Sequence, residues 1–214
     1  MALSLTWTLS RTCRPPWDLH IVEPGADEAA DLGLVDLDES ALVEACLAGR
    51  TGAFGVIVER HGRQVYRLCY RFVGNHEDAS DLSQDIFVRA FRGLKRFRRQ
   101  SSLATWLYRI GVNVCLNRVN AKTLPMEGLD ERGHVDTTSA SPADRLLIAE
   151  RAARVRAAIA RLPRKQRATL VLRMYHELSH QEIAEILGSS VGAVKANFFH
   201  ALGNLKKQLG DHMP

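Results

Sequence analysis

The stretch Leu178–Leu209, LSHQEIAEILGSSVGAVKANFFHALGNLKKQL, predicts two helices joined by a tight turn. Ser179 is placed to cap the first helix, and Glu182, three residues later, completes a capping box. Gly188 supplies the left-handed residue that ends this helix, and either of the two serines after it can cap the next one. Together these signals predict a helix-turn-helix unit.

The second helix of this unit has one apolar face and one small, polar face. Steps of three and four residues form the apolar stripe: Val191, Val194, Phe198, Leu202, Leu205 and Leu209. The opposite face carries Ala193, Ala196, Asn197, His200, Gly203, Asn204 and Lys207. A helix with small residues outward can lie close in the DNA major groove while its polar side chains reach base edges. The pattern favours a DNA-binding unit over the alternative, an amphipathic hairpin with a solvated face.

Charge is unevenly distributed along the chain. Its 214 residues, 46% of them apolar, are enough for one domain or two small ones. Residues 15–49 hold nine carboxylates and no Lys or Arg, whereas residues 86–126 hold nine Lys or Arg and no carboxylate. The second block can attract phosphates at long range, as expected of a nucleic-acid-binding surface.

The cysteines and the apolar runs indicate a cytoplasmic protein. Cys13, Cys46, Cys69 and Cys115 are far apart and form no CxxC pair, and the last three lie among apolar residues. This predicts buried, reduced thiols. No run approaches the roughly 18–20 apolar residues of a membrane span, so membrane insertion is not expected. The N-terminus lacks a basic segment followed by an apolar one, so no secretory signal is expected.

The predicted architecture is all-α, with two small helical domains joined by a flexible linker. Residues 1–36 are predicted to be a disordered acidic leader, and residues 37–122 a compact domain of four helices. Residues 123–141 are rich in Gly, Pro, Ser, Thr and acidic residues, as is typical of a linker. Residues 142–210 are predicted to form a second helical domain that ends in the helix-turn-helix.

Apolar residues at helical spacing predict the four helices of the first domain. The side chains expected on their buried faces are Leu42, Val43, Cys46 and Leu47; Phe54, Ile57, Val58, Val65, Leu68, Cys69 and Phe72; Leu82, Ile86, Ala90, Phe91 and Leu94; and Leu103, Trp106, Leu107, Ile110 and Val114. Asn75 is expected to cap the third helix, and Ser101 or Ser102 to begin the fourth.

The fourth helix also has a polar face. Five hydrogen-bonding residues at offsets of 0, 3, 7, 11 and 15 share one side of it: Ser102, Thr105, Arg109, Asn113 and Asn117. The basic segment KRFRRQSS, residues 95–102, comes just before them, and Trp106 and Tyr108 are expected nearby. Sites for unpaired nucleic acid combine an electropositive track with stacking and polar groups. The set favours binding of single-stranded or distorted nucleic acid; the alternative is a solvated helix face.

Two segments carry a resemblance to a known family. DLSQDIFVRAFRGLKRF and SSLATWLYRIGVNVCLNR, residues 81–97 and 101–118, resemble region 2 of bacterial RNA polymerase sigma factors, and the helix-turn-helix resembles region 4. A chain with only these regions and a short linker is similar to the extracytoplasmic-function group, over about residues 38–210. The resemblance implies a subunit that binds core RNA polymerase, directs it to promoter DNA and helps to open the promoter. It also implies an anti-sigma protein as partner, and it implies no catalytic residue, metal or cofactor.

The resemblance assigns roles to individual positions. Asp81, Gln84 and Asp85 match the pattern that binds the clamp of the polymerase's largest subunit. The positions that match the surface capturing the −10 non-template strand are Arg98, Arg99, Ser101, Ser102, Thr105, Trp106, Arg109, Asn113 and Asn117. The positions that match the surface reading the −35 element in duplex DNA are Ser190, Lys195, Asn197, Phe199, His200 and Lys207.

The second helix of the helix-turn-helix departs from the commoner family pattern. Ala196, Asn197 and His200 stand where the family often has a Ser and two Arg, which leaves direct readout of guanine by arginine open. The −35 sequence therefore cannot be transferred from the family. Lys195 and Phe199 are expected to flank the groove, with Lys195 on phosphate, whereas Asn197 and His200 are expected to contact bases.

Three other functions fit parts of the sequence. Residues 176–180 spell HExxH, the zinc-protease pattern, but that chemistry needs both histidines on one helix, and Ser179 is expected to start a new one. An autonomous helix-turn-helix regulator would bind duplex DNA without polymerase and would not need the residues from Asp81 to Trp106. A helical adaptor that never contacts DNA is opposed by the carboxylate-free block at residues 86–126.

Overall fold

The computed structural model describes residues 33–122 and 142–210, and every regular element in these ranges is a helix. In chain order they are α1 (Glu39–Leu47), α2 (Thr51–Val73), α3 (His76–Gly93), a 3-10 turn (Leu94–Arg96), α4 (Leu103–Lys122), α5 (Pro142–Ala160), α6 (Arg164–Tyr175), α7 (His180–Leu187) and α8 (Val191–Leu209). The predicted all-α architecture is confirmed. The predicted linker and most of the predicted leader lie outside the described residues. None of the helices in the described ranges is both long enough and apolar enough to cross a membrane.

Side-chain caps explain where several helices begin. The Asp38 carboxylate accepts a hydrogen bond from the Ala41 amide (2.7 Å) at the start of α1. Asn75 Oδ1 accepts one from the Asp78 amide (2.8 Å) at the start of α3, as predicted. Gly74, just before Asn75, has a φ of 82°, a left-handed conformation that glycine adopts without strain. These two residues therefore suffice to connect α2 with α3.

The first unit is built around α2, which packs against α1, α3 and α4. Its core contains buried side chains from all four helices, among them Leu42, Val43, Phe54, Ile57, Leu68, Cys69, Phe72, Leu82, Ile86, Phe87, Ala90, Leu103, Leu107 and Val112. Gly111 marks a close approach of α4 to its neighbours. A Cβ atom at Gly111 would lie 2.7 Å from Leu68 Cδ2 and 3.4 Å from Ile86 Cδ1, so the absence of a side chain permits this packing.

The prediction that Leu47 and Phe91 lie in the core of the first unit is wrong. Leu47, the last residue of α1, is 45% exposed, and Phe91 of α3 is 53% exposed. Phe87 fills the interior of the unit instead and is 1% exposed. Phe91 lies at the edge of the buried row, where its ring meets the Phe54 ring with centroids 5.0 Å apart. Helical periodicity locates a face well, but leaves positions at its edge ambiguous.

The folded first unit also begins earlier than predicted. Leu34 falls within the predicted leader, residues 1–36, yet its side chain is fully buried in the core. The Val35 carbonyl accepts a hydrogen bond from Arg60 Nη2 (2.5 Å) of α2, which fixes this segment to the helix. Leu34 lies in the short stretch DLGLVDLD, residues 31–38, which is too short to show a sustained helical period, so the sequence pattern does not indicate its burial.

The second unit packs α5, α6 and α7 against α8. The predicted capping box is confirmed, because Ser179 Oγ accepts from the Glu182 amide (3.2 Å) and Glu182 Oε2 accepts from the Ser179 amide (2.7 Å). Gly188 ends α7 with the predicted left-handed φ of 57°, and Ser190 caps α8. The helices α7 and α8 thus form the predicted helix-turn-helix.

The buried face of α8 is rotated from the predicted stripe. Val194 and Ala201 are fully buried, and Asn204, predicted to face outward, is half-buried and donates to Gln166 Oε1 (2.8 Å) of α6. Two predicted stripe positions are exposed instead: Val191 (38%) and Leu202 (45%). A count of large apolar residues overlooks Ala201, although a small side chain lets helices approach closely.

The two units touch directly along a surface that we call the interdomain seam, with α2 and α4 on one side and α6 and α7 on the other. Arg167 of α6 is 5% exposed and donates hydrogen bonds to the Phe72 carbonyl of α2 and to the Ala160 carbonyl at the end of α5. Its guanidinium carbon lies 5.5 Å from the centroid of the Phe72 ring. The prediction of two domains on a flexible linker did not include this contact.

Cys69 of α2 and Cys115 of α4 are buried thiols, as predicted. Both are fully buried and free, with their sulfur atoms 3.8 Å apart. The hydrogen bond from Cys115, together with burial, raises the pKa of Cys69 above its ordinary value. The Cys69 thiol therefore stays protonated and unreactive. Cys46 is half-buried and free, and Cys13 lies outside the described residues.

Gly111→Ala is expected to be less stable than a matched glycine-to-alanine variant by about 1–3 kcal/mol, since its new methyl group overlaps Leu68 in a packed core. Gly55 provides a matched control within α2, because a Cβ atom there meets nothing within 4 Å. Gly55→Ala should raise the free energy of unfolding by up to about 1 kcal/mol through helix propensity. Urea denaturation followed by circular dichroism measures both, and equal stability of the two variants would contradict the close packing at Gly111.

Candidate nucleic-acid interface

The three residues predicted to contact the polymerase lie along α3. Asp81 and Gln84 are exposed, whereas Asp85 is half-buried. Both carboxylate oxygens of Asp85 accept hydrogen bonds from Arg89 Nε one turn later, each at 2.9 Å. The charge of Asp85 is therefore balanced within the helix, and Asp81 and Gln84 present their polar groups outward.

Asp78, in the first turn of α3 and not among the predicted site residues, joins α3 to α4. It is buried, and its Oδ1 accepts a hydrogen bond from Arg118 Nη2 (2.8 Å) of α4. Its Oδ2 accepts another from Asn75 Nδ2 (2.6 Å). The ion pair fixes the helix that carries Asp81 and Gln84 against the helix that carries the polar face.

The basic segment before α4 forms an exposed cationic track: Lys95, Arg96 and Arg98. Arg99 is also exposed, but α1 binds its guanidinium, because Arg99 Nη1 donates to Ser40 Oγ (3.1 Å) and Glu44 Oε1 (2.8 Å). Arg99 has a φ of 56°, a left-handed conformation that is unfavourable for a residue with a side chain. The contacts with α1 hold the segment in this conformation.

The polar face of α4 has the predicted geometry. All its members are exposed or half-buried: Ser102, Thr105, Arg109, Asn113 and Asn117. Ser102 Oγ accepts a hydrogen bond from the Thr105 amide (3.1 Å) and caps the helix, with half-buried Ser101 just before it. Trp106 is half-buried and packs against Phe97, with ring centroids 5.1 Å apart. The cationic track therefore runs directly into the polar face.

The second unit engages two residues of this polar face. Arg109 Nη2 donates to the Glu185 carbonyl of α7 (2.8 Å), and Asn117 Oδ1 accepts from Arg164 Nη2 at the start of α6 (3.1 Å). Asn113, between them on the helix, is exposed. The packing of the two units thus restricts access to part of the predicted −10 surface.

Tyr108, which was expected near the polar face, lies in the interdomain seam. It is buried, its hydroxyl lies 2.9 Å from His176 Nδ1, and the two rings meet edge to face with centroids 5.1 Å apart. Burial first, and then the positive charges of Arg67 and Arg71, lower the pKa of His176 to about 4. His176 Nε2 is buried without a hydrogen-bond partner. Protonation of His176 is therefore unfavourable while the units are packed.

The HExxH pattern does not lie on one helix. His176 is the C-cap residue of α6 and His180 is the first residue of α7, with Glu177 between them at a φ of 57°. The break covers residues 176–179 and ends at Ser179, the cap that the sequence predicts for the next helix. Within residues 33–122 and 142–210, no three His, Cys, Asp or Glu side chains are grouped so that they could hold a metal ion.

The predicted reading residues of α8 differ in exposure. Lys195, Phe199, His200 and Lys207 are exposed, whereas Asn197 is half-buried and reaches outward only in part. The Phe199 ring is 74% exposed, and its expected place at the flank of the DNA groove stays a prediction. The Phe199 and His200 rings meet edge to face with centroids 5.9 Å apart. Ser190 caps α8, because its Oγ accepts a hydrogen bond from the Ala193 amide (3.2 Å).

Two family models match the chain, one at each unit. The model for Sigma-70 region 2 matches residues 57–123, and the model for Sigma-70 region 4 matches residues 152–205. The first match includes α3, the cationic track and all of α4, and the second includes α6, α7 and α8 as far as residue 205.

Known proteins match over most of the chain. The ECF RNA polymerase sigma factor SigW of Bacillus subtilis (strain 168) is 34% identical over 172 residues, 76% of this chain and 92% of that protein. The ECF RNA polymerase sigma-E factor of Escherichia coli (strain K12) is 33% identical over 175 residues, 77% of this chain and 91% of that protein.

Two solved structures share the fold. CnrH, in complex with the cytosolic domain of CnrY, matches with a TM-score of 0.60 and 27% identity over 82% of this chain and 99% of that chain. The sigma factor RpoE from Bartonella quintana, in complex with the anti-sigma factor NepR, matches with a TM-score of 0.56 and 18% identity over 75% of this chain and 98% of that chain.

Acidification is expected to separate the two units through His176. When exposed, His176 takes up a proton near its ordinary pKa of 6.5, but in the packed seam only near 4. The ratio of packed to separated molecules is therefore highest above about pH 6.5. Below that pH it falls by up to about tenfold for each pH unit. Small-angle X-ray scattering between pH 7.5 and 5 should show an increase in the radius of gyration.

His176→Gln is the control for this prediction, because glutamine keeps a hydrogen-bonding side chain but does not titrate. Its scattering profile should change little over the same pH range. Burial also lowers the pKa of His61 in the first unit. Equal expansion of the variant and the unmodified protein would place the acid-sensitive group elsewhere, for example at His61.

Proposed function

This chain belongs to the extracytoplasmic-function RNA polymerase sigma factors, and we propose that its first unit binds core polymerase and the unpaired −10 strand while its second reads duplex −35 DNA. As a sigma factor it binds core RNA polymerase, directs it to promoters and promotes their opening. One observation supports this division of roles: the same chain contains a cationic track next to a polar helix face in its first unit and a capped helix-turn-helix in its second. An autonomous regulator would need only the helix-turn-helix.

Polymerase binding is proposed to centre on Asp81 and Gln84. Both side chains are exposed on α3, and Asp81 offers a carboxylate to a cationic partner. Asp85 contributes less directly, because Arg89 already holds both of its oxygens. The Asp78–Arg118 ion pair holds α3 against α4. Docking of α3 on polymerase would therefore also position the polar face of α4.

Capture of the −10 strand is proposed to use the track and the exposed part of the polar face. Lys95, Arg96 and Arg98 would bind phosphates, and Arg99 would join them when it leaves Glu44. Ser102, Thr105, Trp106 and Asn113 would contact unpaired bases. No covalent step is needed, because each base that stacks on an aromatic ring contributes roughly 1–3 kcal/mol to strand separation.

Separation of the units is part of this proposal. While the units are packed, Arg109 Nη2 is bound to the Glu185 carbonyl and Asn117 Oδ1 to Arg164, so these atoms are not available to a DNA strand. The ion pairs His61–Glu39, Asp85–Arg89, Arg99–Glu44 and Arg118–Asp78 all lie within the first unit. A DNA phosphate offers Arg109 a charged acceptor in place of a neutral carbonyl, and charge-assisted hydrogen bonds are the stronger ones. Promoter DNA therefore competes effectively with the packed arrangement.

Readout of the −35 element is proposed for the exposed surface of α8. Lys195 and Lys207 would bind phosphates on either side of the groove, and His200 would contact a base. Asn197 would contribute from the edge of this surface, since it is half-buried. Ser190 would act mainly through its capping of the helix.

An inhibitory protein partner is also proposed. RpoE from Bartonella quintana was solved with the anti-sigma factor NepR, and CnrH with the cytosolic domain of CnrY. We expect an anti-sigma protein to bind this chain in the cytoplasm, where RNA polymerase works. We expect the chain itself to have no enzymatic activity and to need no cofactor or metal. Run-off transcription with and without core polymerase tests the function, because a sigma factor acts only when core polymerase is present.

The combined substitutions Asp81→Asn and Gln84→Ala are expected to weaken binding to core polymerase about tenfold or more, since they remove two polar groups from the centre of the proposed interface. Glu77→Gln is the matched control, because Glu77 is also exposed on α3 but lies in its first turn. Fluorescence anisotropy with labelled protein measures the affinity. Normal affinity and normal run-off transcription in the double variant would refute the interface.

Asn113→Ala is expected to reduce promoter opening roughly two- to tenfold, since one hydrogen bond contributes about 0.5–1.5 kcal/mol. Permanganate reactivity of unpaired thymines measures opening, and binding to core polymerase should be unchanged. Gln64→Ala removes an exposed amide of the same kind from α2 and serves as control. If both variants open promoters as well as the unmodified protein, Asn113 does not contact the unpaired strand.

A further inference from the structure

The cationic track is already in contact with part of an acid-rich stretch of the chain. Residues 15–49 hold nine carboxylates and no Lys or Arg, and α1 lies at the folded end of that stretch. From α1, Glu44 Oε1 and Ser40 Oγ both accept hydrogen bonds from Arg99 Nη1, at 2.8 Å and 3.1 Å. The helix also packs against the 3-10 turn that carries Lys95 and Arg96. The acid-rich stretch therefore enters the fold beside the track.

The rest of the track presents further cations at the surface. Lys95, Arg96 and Arg98 are exposed, so their charges face solvent. Like charges this close in the chain repel one another, and the approach of anions relieves that repulsion. The Arg99–Glu44 ion pair shows how a carboxylate from the acid-rich stretch does so at the neighbouring position.

An acidic segment of the same chain precedes α1. We use this name for residues 18–31, which contain no Lys or Arg and five carboxylates: Asp18, Glu23, Asp27, Glu28 and Asp31. Its charge is opposite to that of the track. Because one chain joins the two, the segment meets the track at an effective concentration of millimolar order.

The acidic segment is long enough to reach the track. The chain is fixed at Leu34, which is fully buried, and at Val35, whose carbonyl accepts a hydrogen bond from Arg60. A chain spans at most about 3.6 Å per residue, so Leu34 lies no more than about 22 Å from Ser40, the residue that contacts Arg99. The chain from Leu34 back to Asp18 can extend about 58 Å, more than twice that distance.

We propose that the acidic segment docks on Lys95, Arg96 and Arg98 in the free protein and competes there with the unpaired −10 strand. Its carboxylates accept hydrogen bonds from these cations in the way that Glu44 accepts one from Arg99. The proposal rests on the proposed function, in which the track binds DNA phosphates, and adds the regulation of that same site.

Salt and promoter DNA both release the segment. Ion pairs between exposed side chains are individually weak and are screened by salt, so docking depends on several carboxylates at once. A DNA strand presents a phosphate at every nucleotide, and each phosphate can replace a carboxylate. The segment therefore opposes non-specific binding at low salt, whereas promoter DNA held by the polymerase complex displaces it.

Carbodiimide crosslinking of the full chain tests the contact directly, because the reagent joins an amine to a carboxylate that touches it. Mass spectrometry should find Lys95 joined to the acidic segment at low salt. The product should disappear at about 1 M salt, where charges are screened beyond about 3 Å. Lys206 of α8 is the control, since it is also exposed but lies outside the track. Equal yields at Lys95 and Lys206 would overturn the proposal.

Removal of charge from the segment tests the competition. The segment variant carries Glu23→Gln, Asp27→Asn, Glu28→Gln and Asp31→Asn. The matched control has the same net charge but changes four exposed glutamates elsewhere: Glu59→Gln, Glu77→Gln, Glu150→Gln and Glu177→Gln. At low salt the segment variant should bind a labelled single-stranded DNA about three- to tenfold more tightly than the control, as expected for a few weak ion pairs, and equally at high salt. Fluorescence anisotropy with the full chain measures this, and circular dichroism checks the fold.

Combination with changes in the track shows whether the segment acts there. Lys95→Gln, Arg96→Gln and Arg98→Gln together should weaken DNA binding, and in this background the segment variant should gain nothing over its control. An undiminished gain would place the segment on another surface and overturn the proposal. Equal DNA affinities of the segment variant and its control at low salt would overturn it as well.

Run-off transcription with core polymerase separates this proposal from the proposed function. If the unmodified chain supports transcription while the segment variant and its control bind DNA equally, the docking of the segment alone is refuted. If the unmodified chain neither binds single-stranded DNA nor supports transcription, both proposals are refuted together.

Discussion

The buried guanidinium of Arg167 sets how the two units face each other. Burial lowers the pKa of Arg167 below its ordinary value, and its Nε has no partner. No carboxylate in the described part of the chain pairs with this guanidinium; its acceptors are the carbonyls of Phe72 and Ala160. These lie in the last turns of two helices, where carbonyls lack intrahelical donors and the helix dipole is negative. Two helix ends thus supply the stabilisation that an ion pair would otherwise give.

With that placement, α4 belongs to two surfaces at once. It packs on α2 and α3 within its own unit and on α6 and α7 across the seam. Adjacent residues consequently differ in role, since Tyr108 is buried against the second unit while Arg109 lies at the rim of the seam with the polar face. A single helix therefore links the fold of the first unit, the packing of the second and the surface assigned to DNA.

Local signals in the sequence were enough to predict the helices and the break at Ser179, because caps and apolar spacing act within a few residues. The errors at Phe91 and Leu202 concern the edges of helix faces, where spacing alone does not decide between neighbours. The contact between Tyr108 and His176 joins positions 68 residues apart in the sequence, and it forms when the two folded units pack together. No periodicity encodes such a contact. The residue roles assigned to polymerase and DNA remain predictions, because they depend on partners rather than on the chain's own packing.

The first family match begins at residue 57, but the physical unit does not. The helix α1 precedes the match, yet Leu42 and Val43 are buried in the core, and Glu44 holds the left-handed Arg99. A fragment cut at the start of the match would retain every residue of the polar face while uncovering an apolar surface beneath it. Its basic segment would also lose the anchor that sets its backbone. Where to divide this chain for separate study is thus decided by packing, and the boundary of the folded unit lies upstream of the first family match.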